Sequence, residues 1–312
     1  MFIRSLHQQA AQRLSRADRH RPAYLRNHER KCNDHVPWAD ARYVRTHDGP
    51  RRRIHRRRPM SGAQSYRNGS APTVLLVHGP FVDGSSWSGV IAELQATRIE
   101  AIAPANPLRG LASDSAYIAS VVAQFDGPVL LVGHSYGGAV IGVAGAMAAN
   151  VVGLVFVNGY ALEEGESCLD TARAFPETSF AASLRFAEVP SPSGGTAIDL
   201  YEKLDAFPQA LAGGLRADRA AVLAAVQRPL AASALDEKAP AAAWRTLPSW
   251  YFVATEDQAI HPDAQRFMAR RACADTVEVN GSHLALISHA SSIARHIVRA
   301  IYATARAADS AD

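Results

Sequence analysis

Pro128-Val129-Leu130-Leu131-Val132-Gly133-His134-Ser135-Tyr136-Gly137-Gly138 is the stretch that decides the fold. Val129 to Val132 read as a buried strand, and the Ala/Gly/Val-rich run after Gly138 reads as a helix. Between them lies a G-x-S-x-G turn made by Gly133, Ser135 and Gly137. A sharp strand-to-helix turn that holds a serine leaves no room for β-carbons two residues to either side, which accounts for both glycines. It also presents the Ser135 hydroxyl at a helix N-terminus, where backbone N–H groups and the helix dipole favour developing negative charge. Ser135 is therefore the candidate nucleophile and the Tyr136 N–H the first candidate oxyanion donor. His134 is expected to point away from Ser135 as a packing residue.

A nucleophile on such a turn takes its acid and base from loops after later strands, in the chain order Ser, Asp or Glu, His. Trp250-Tyr251-Phe252-Val253-Ala254 leads into Thr255-Glu256-Asp257, which makes Asp257 the candidate acid. Glu256 is its neighbouring rival, and Glu163 and Glu164 are remoter ones. Thr276-Val277-Glu278-Val279 leads into Asn280-Gly281-Ser282-His283, which makes His283 the candidate base. His289 reads as a surface residue opening the last helix. In these roles His283 takes the Ser135 proton and returns it to the leaving group, while Asp257 fixes the imidazole tautomer.

Working outward, residues 71–312 alternate short β-branched runs with amphipathic or Ala-rich segments, the pattern of a mostly parallel central sheet with helices on both faces. Strands are expected near 73–78, 99–103, 128–133, 151–157, 249–254 and 275–280. Helices are expected near 85–96, 114–125, 137–148, 263–272 and 288–305. The apolar stretch from Gly138 to Val157 is broken only by Asn150 and is long enough for a membrane span. It divides better at Asn150 into a Gly/Ala-rich helix and a β-branched strand, so no membrane span is expected. Residues 160–246 break the alternation with Pro/Ser/Gly clusters and with Ala-rich stretches near 198–211 and 217–227. They read as an inserted helical lid, in which Phe175, Phe180, Phe186, Leu200 and Phe207 are available to line an apolar pocket.

Charge divides the chain differently. Residues 1–70 hold 17 Lys/Arg against 5 Asp/Glu, and the remainder holds 16 against 24, so the net charge of +4 hides a basic leader and an acidic body. The leader is expected to be a disordered extension. Its arginines, including Arg51 to Arg53 and Arg56 to Arg58, are the only basis for nucleic-acid affinity, which is not expected of the body. Cys32, Cys168 and Cys273 have neither metal-ligand nor disulfide spacing, which fits a reducing, cytoplasmic compartment. A homodimer is compatible with this composition.

Val77-His78-Gly79-Pro80-Phe81, followed by Asp83-Gly84-Ser85-Ser86-Trp87, completes the pattern as a His-Gly turn after an early strand. With Gly133 to Gly138, Thr255-Glu256-Asp257 and Ser282-His283, the chain resembles the α/β-hydrolase superfamily. The branch is that of the bacterial relatives of plant methyl esterases and hydroxynitrile lyases, and the likeness spans residues 73 to about 305. The resemblance implies that His78 and Gly79 hold the loop, and that the second oxyanion donor is the backbone N–H of the residue after His-Gly. That residue is Pro80, which has none. Either the Phe81 N–H takes over or the hole keeps one good donor. The lyase members carry lysine after the base histidine and threonine at the Gly79 position; Leu284 and Gly79 here point away from cyanohydrin cleavage. The expected activity is cleavage of a small, largely apolar ester, thioester or lactone through an acyl-Ser135 intermediate, with no metal or organic cofactor. The alternatives are a weak or inactive ligand-binding protein on the same scaffold, and cofactor-independent C–C hydrolysis or peracid formation.

Overall fold

The computed structural model describes residues 44–45, 71–191 and 194–309. The main sheet is built from β1 (Val44–Arg45), β2 (Thr73–Val77), β3 (Ala101–Ile102), β4 (Val129–His134) and β5 (Val151–Val157). After an insertion that contains β6 (Leu184–Pro190), β7 (Thr196–Glu202) and β8 (Leu230–Ala231), it resumes with β9 (Ser249–Ala254) and β10 (Asp275–Val279). The principal helices are α1 (Ser88–Ala96), α2 (Leu111–Val122), α3 (Tyr136–Met147), α4 (Cys168–Arg173), α5 (Ala217–Ala225), α6 (Pro262–Arg271) and α7 (Ala290–Asp309).

All neighbours in the order β1-β10-β9-β5-β4-β2-β3 are parallel. Both faces of such a sheet are covered, which is why β2 and β4 are apolar at nearly every position rather than alternating. Leu75, Val77 and Leu131 join one core with α2 and α3, while Val74, Leu76, Leu130 and Val132 join a second core with α1 and α7. Each Leu or Val so buried contributes about 1.5–3 kcal/mol. Asn150 divides helix from strand as expected, and its amide donates to the carbonyls of Phe125 and Gly127 at 2.9 and 3.1 Å.

From β2 the chain runs outward to the edge strand β3, then returns to lay β4 on the other side of β2 and continues to β5. Loops therefore diverge from the carboxyl ends of β2 and β4, and that crevice is where an open parallel sheet receives ligands. The loops bearing Gly79, Ser135, Asp257 and His283 all follow the carboxyl ends of strands in this sheet.

Two features differ from expectation. The insertion at 160–246 is not purely helical: β6, β7 and β8 form a three-stranded antiparallel sheet, and the segment near 198–211 begins as strand. Leu184-Arg185-Phe186 and Ile198-Asp199-Leu200 alternate with period two, and at the end of the paired strands the Ser191 N–H donates to the Gly195 carbonyl at 3.0 Å. Within the leader, Val44–Arg45 pairs with β10 at the open sheet edge, which otherwise has unsatisfied backbone groups. The rest of residues 1–70, including the arginine clusters, lies outside the described residues. No described helix is long and apolar enough to cross a membrane.

The insertion is fastened to the sheet domain by charge. Arg109 Nη1 reaches Asp199 at 2.7 Å, and the Glu237 carboxylate accepts the N–H groups of Leu111 and Ala112 at 2.6 and 3.0 Å. Gly110 precedes α2 without a capping side chain, so a lid carboxylate supplies the negative charge that the helix N-terminus favours.

Candidate active site

Ser135 has φ 56° and ψ −126°, a conformation that disfavours any residue with a β-carbon. The turn is held because a β-carbon on Gly133 would strike the Gly137 carbonyl and one on Gly137 would strike the Val77 carbonyl. Strand β4, helix α3 and the loop after β2 thus meet closely at these glycines. Gly79 completes the contact: a β-carbon there would stand 2.6 Å from that of Ser135, so this loop has no room for the threonine of the lyase members.

The Ser135 hydroxyl lies 2.9 Å from His283 Nε2, and His283 Nδ1 lies 2.8 Å from Asp257 Oδ2. Asp257 also accepts from the backbone N–H groups of Ala259 and Ile260, at 2.7 and 3.0 Å, and from Gln265 Nε2 at 2.8 Å. Surrounded by donors, Asp257 is fixed as an acceptor, so Nδ1 of His283 carries the proton and Nε2 is free to accept one from Ser135. Relative exposures of 5% for Ser135, 4% for His283 and 1% for Asp257 keep this chain of bonds out of bulk water. Glu256 and Glu164 are exposed and Glu163 is engaged by Arg245, and it is Asp257, none of these three rivals, that bonds the imidazole. His289 is half-buried beside Ser288, outside the cluster.

Several supporting side chains were not legible in advance. Gln265 is fully buried and clamps Asp257 while accepting the Ala254 N–H at 3.1 Å. His134 does point away from the hydroxyl, but its Nε2–H donates to the His283 carbonyl at 2.9 Å, so it braces His283. Asn158 donates to the Ser282 carbonyl at 3.2 Å. Asp114 accepts the Tyr136 hydroxyl at 2.9 Å and holds that side chain on the helix side of the turn. The only sequence signal for these four is a polar residue at an otherwise buried position next to a motif.

His78 fastens the loop that follows β2. The Asn106 N–H donates to its Nε2 at 3.0 Å, so the Nδ1–H must donate to the Gly79 carbonyl at 2.8 Å. Pro80 and Phe81 both line a small cavity of about 30 Å³ that includes Ser135, Tyr136 and His283. The Phe81 N–H, the alternative second donor, is committed elsewhere: it donates to the Arg228 carbonyl of the lid at 2.9 Å. Of the two residues expected to supply a second donor, then, Pro80 has no N–H and Phe81 has an occupied one.

The small cavity shares Tyr160, Phe180, Leu184, Leu200 and Leu235 with a larger apolar one of about 270 Å³ beneath the lid. Phe175 and Phe186 also line the larger cavity, as expected. Phe207 does not: it is fully buried in the second core.

Burial pushes the His78 imidazole down to about 4 and that of His296, packed near Phe252, down to about 3; His134 is lowered well below its ordinary value for the same reason. All three are neutral in the folded chain at pH 7, whereas unfolding frees them to bind protons near pH 6.5. Stability is therefore complete above about pH 6.5 and falls as pH drops from there toward 4, by up to about 1.4 kcal/mol per pH unit for each histidine. Thermal midpoints should fall between pH 7 and pH 4.5, and His296→Leu should flatten that fall; an unchanged slope in the variant would refute this assignment.

The sequence matches the model of the Alpha/beta hydrolase family over residues 74–295. No curated protein matches it. Among solved structures, a pyrethroid hydrolase from Sphingobium faniae JZ-2 superposes with a TM-score of 0.61 at 18% identity, covering 76% of this chain and 100% of that one. Polyneuridine aldehyde esterase gives 0.64 at 16% identity, covering 74% and 99%. A methylesterase from Arabidopsis gives 0.62 at 13% identity, covering 74% and 99%. At these identities the likeness carries the fold, and the family match covers most of the chain: this protein belongs to the alpha/beta hydrolase family.

Proposed function

We propose that the chain is a serine hydrolase that cleaves small, largely apolar carboxylic esters, with thioesters and lactones as related substrates. The observation that carries this reading is the Ser135–His283–Asp257 chain of 2.9 and 2.8 Å bonds opening on an apolar cavity. In the proposed reaction His283 Nε2 takes the Ser135 proton as the hydroxyl oxygen attacks the ester carbonyl. The imidazolium is stabilised by Asp257 and then protonates the departing alcohol. Water repeats the sequence on the acyl-Ser135 ester and releases the acid. The Tyr136 N–H, at the first position of α3, faces the developing oxyanion. No step calls for a metal or organic cofactor. The spacing of the three cysteines suits a reducing interior, and we assign the enzyme to the cytoplasm.

Rates on p-nitrophenyl esters from acetate to decanoate, with lactones and acyl thioesters beside them, test this. A maximum at an intermediate apolar acyl chain is expected, because the 270 Å³ cavity accepts a limited volume. Uniformly flat rates would defeat the reading. A second reading, a slow or inactive ligand-binding protein, is favoured by one observation: the oxyanion loop offers neither a Pro80 nor a free Phe81 N–H.

A further inference from the structure

We infer that Gln265 is a positioning residue of the active site: its amide occupies one lone pair of Asp257 Oδ2 and so directs the other at His283 Nδ1. This rests on the hydrolase reading above, in which Asp257 orients the imidazole. Gln265 lies on α6, is fully buried, and spends both ends of its side chain on the loop between β9 and α6. Oε1 accepts the Ala254 N–H at 3.1 Å, where β9 ends. Nε2 donates to Asp257 Oδ2 at 2.8 Å and to the Ile260 carbonyl at 2.9 Å. Turned over, the amide would set its oxygen against two acceptors and its nitrogen against a donor, so only this orientation satisfies all three groups. One side chain thus ties the end of β9, the acid and the far end of the loop to a single point on α6.

The arrangement fills the carboxylate. Oδ1 accepts the Ala259 and Ile260 N–H groups at 2.7 and 3.0 Å, and Oδ2 accepts Gln265 Nε2 and His283 Nδ1, each at 2.8 Å. A carboxylate oxygen offers two lone pairs, so the amide leaves Oδ2 only the one aimed at the imidazole. Without it, His283 alone would resist a swing of Oδ2 about the bonds that Oδ1 makes. Gln265 lines neither the large nor the small cavity, so its influence on a substrate passes through Asp257.

Two substitutions test this. Gln265→Met keeps the volume and loses the donor; it should lower kcat for the best ester about 10- to 100-fold and leave KM within about 2-fold, because only the alignment of the reacting groups changes. Gln265→Glu, while protonated, still offers an O–H to Asp257 and a carbonyl oxygen to the Ala254 N–H, and a carboxyl buried against a carboxylate keeps its proton above the ordinary range. As that proton leaves, two like charges face each other and Asp257 is driven off the imidazole. The kcat/KM of Gln265→Glu relative to wild type should therefore fall about 10-fold or more as pH rises from 6 to 9. Burial holds His134, beside His283, well below its ordinary value, and Tyr160 and Tyr251, near Asp257, well above theirs, so these three stay neutral in that range. Glu202 on the lid, Glu256 and His261 on the acid loop and the Arg266–Glu278 pair are common to both proteins and cancel in the ratio.

A second readout needs no substrate. In Ser135→Ala protein the His283 Nδ1 proton, assigned by its loss in His283→Ala, should give a far-downfield NMR resonance that moves upfield or broadens when Gln265→Met is added. The inference is overturned if Gln265→Met leaves kcat unchanged or acts on KM alone, if the Gln265→Glu ratio is constant or rises with pH, or if the His283 resonance stays in place. Should Gln265→Met fail to fold, the pH course of the Gln265→Glu ratio decides. Absence of turnover with a displaced resonance would remove the hydrolase reading and leave the positioning role. Turnover with an unmoved resonance in Gln265→Met would do the reverse.

Discussion

Replacing Ser135 by alanine is expected to lower kcat/KM for the best ester of the panel by roughly 10⁵- to 10⁶-fold, leaving a small residue of rate from binding and the oxyanion loop. The fold should survive, because among the described residues the hydroxyl bonds only to His283 Nε2. The turn itself is fixed by backbone bonds, in which Ser135 donates to the Val157 carbonyl and accepts from Gly138 and Tyr160. His283→Ala should be about as severe as Ser135→Ala, and the double variant no worse than either, since residues that act as a unit are not additive. Labelling by a fluorophosphonate probe gives an independent reading: wild type should be labelled and Ser135→Ala should not. Equal labelling of both, or additive losses in the double variant, would show that Ser135 and His283 do not form one nucleophilic unit.

Replacing Pro80 by alanine is expected to raise kcat by roughly 10- to 100-fold, with little change in KM. An oxyanion donor is worth about 3 kcal/mol in the transition state and far less in the ground state, so its gain should appear in kcat. The position after His78-Gly79 lies against the Ser135 cavity, and the His78–Asn106 and His78–Gly79 bonds hold its loop without the proline ring. An unchanged kcat would mean that the oxyanion draws its second bond elsewhere. The Phe81 N–H is then the group to test, since it can turn to the substrate only by leaving the Arg228 carbonyl, which requires the lid to shift. A rise confined to KM would contradict the oxyanion assignment altogether.

The two expectations differ in how they were reached. Ser135, Asp257 and His283 could be named as one cluster from the sequence because each follows an apolar run that ends at the same edge of a parallel sheet; the roles proposed for them rest on chain order. The lid was misread where alternation was short: Ile198-Asp199-Leu200-Tyr201-Glu202 also fits helical spacing, and only pairing with Leu184 to Pro190 settles it as strand. Gln265, Asn158, Asp114 and the bracing role of His134 were not legible. Each acts on a residue distant in sequence, and nothing local distinguishes a buried amide that clamps a carboxylate from one on a solvated face.

By itself the sequence determined the sheet, the glycine turn and the chain order in which Ser135, Asp257 and His283 follow their strands, because these follow from local sterics and hydrophobic periodicity. It also exposed Pro80, since a missing N–H is a property of the residue alone. Only the tertiary structure decided that the Phe81 N–H is taken by a lid carbonyl, and that Phe207 belongs to the core and not the pocket. Whether a polar group is satisfied depends on what the chain brings to it from far away, and sequence spacing does not carry that information.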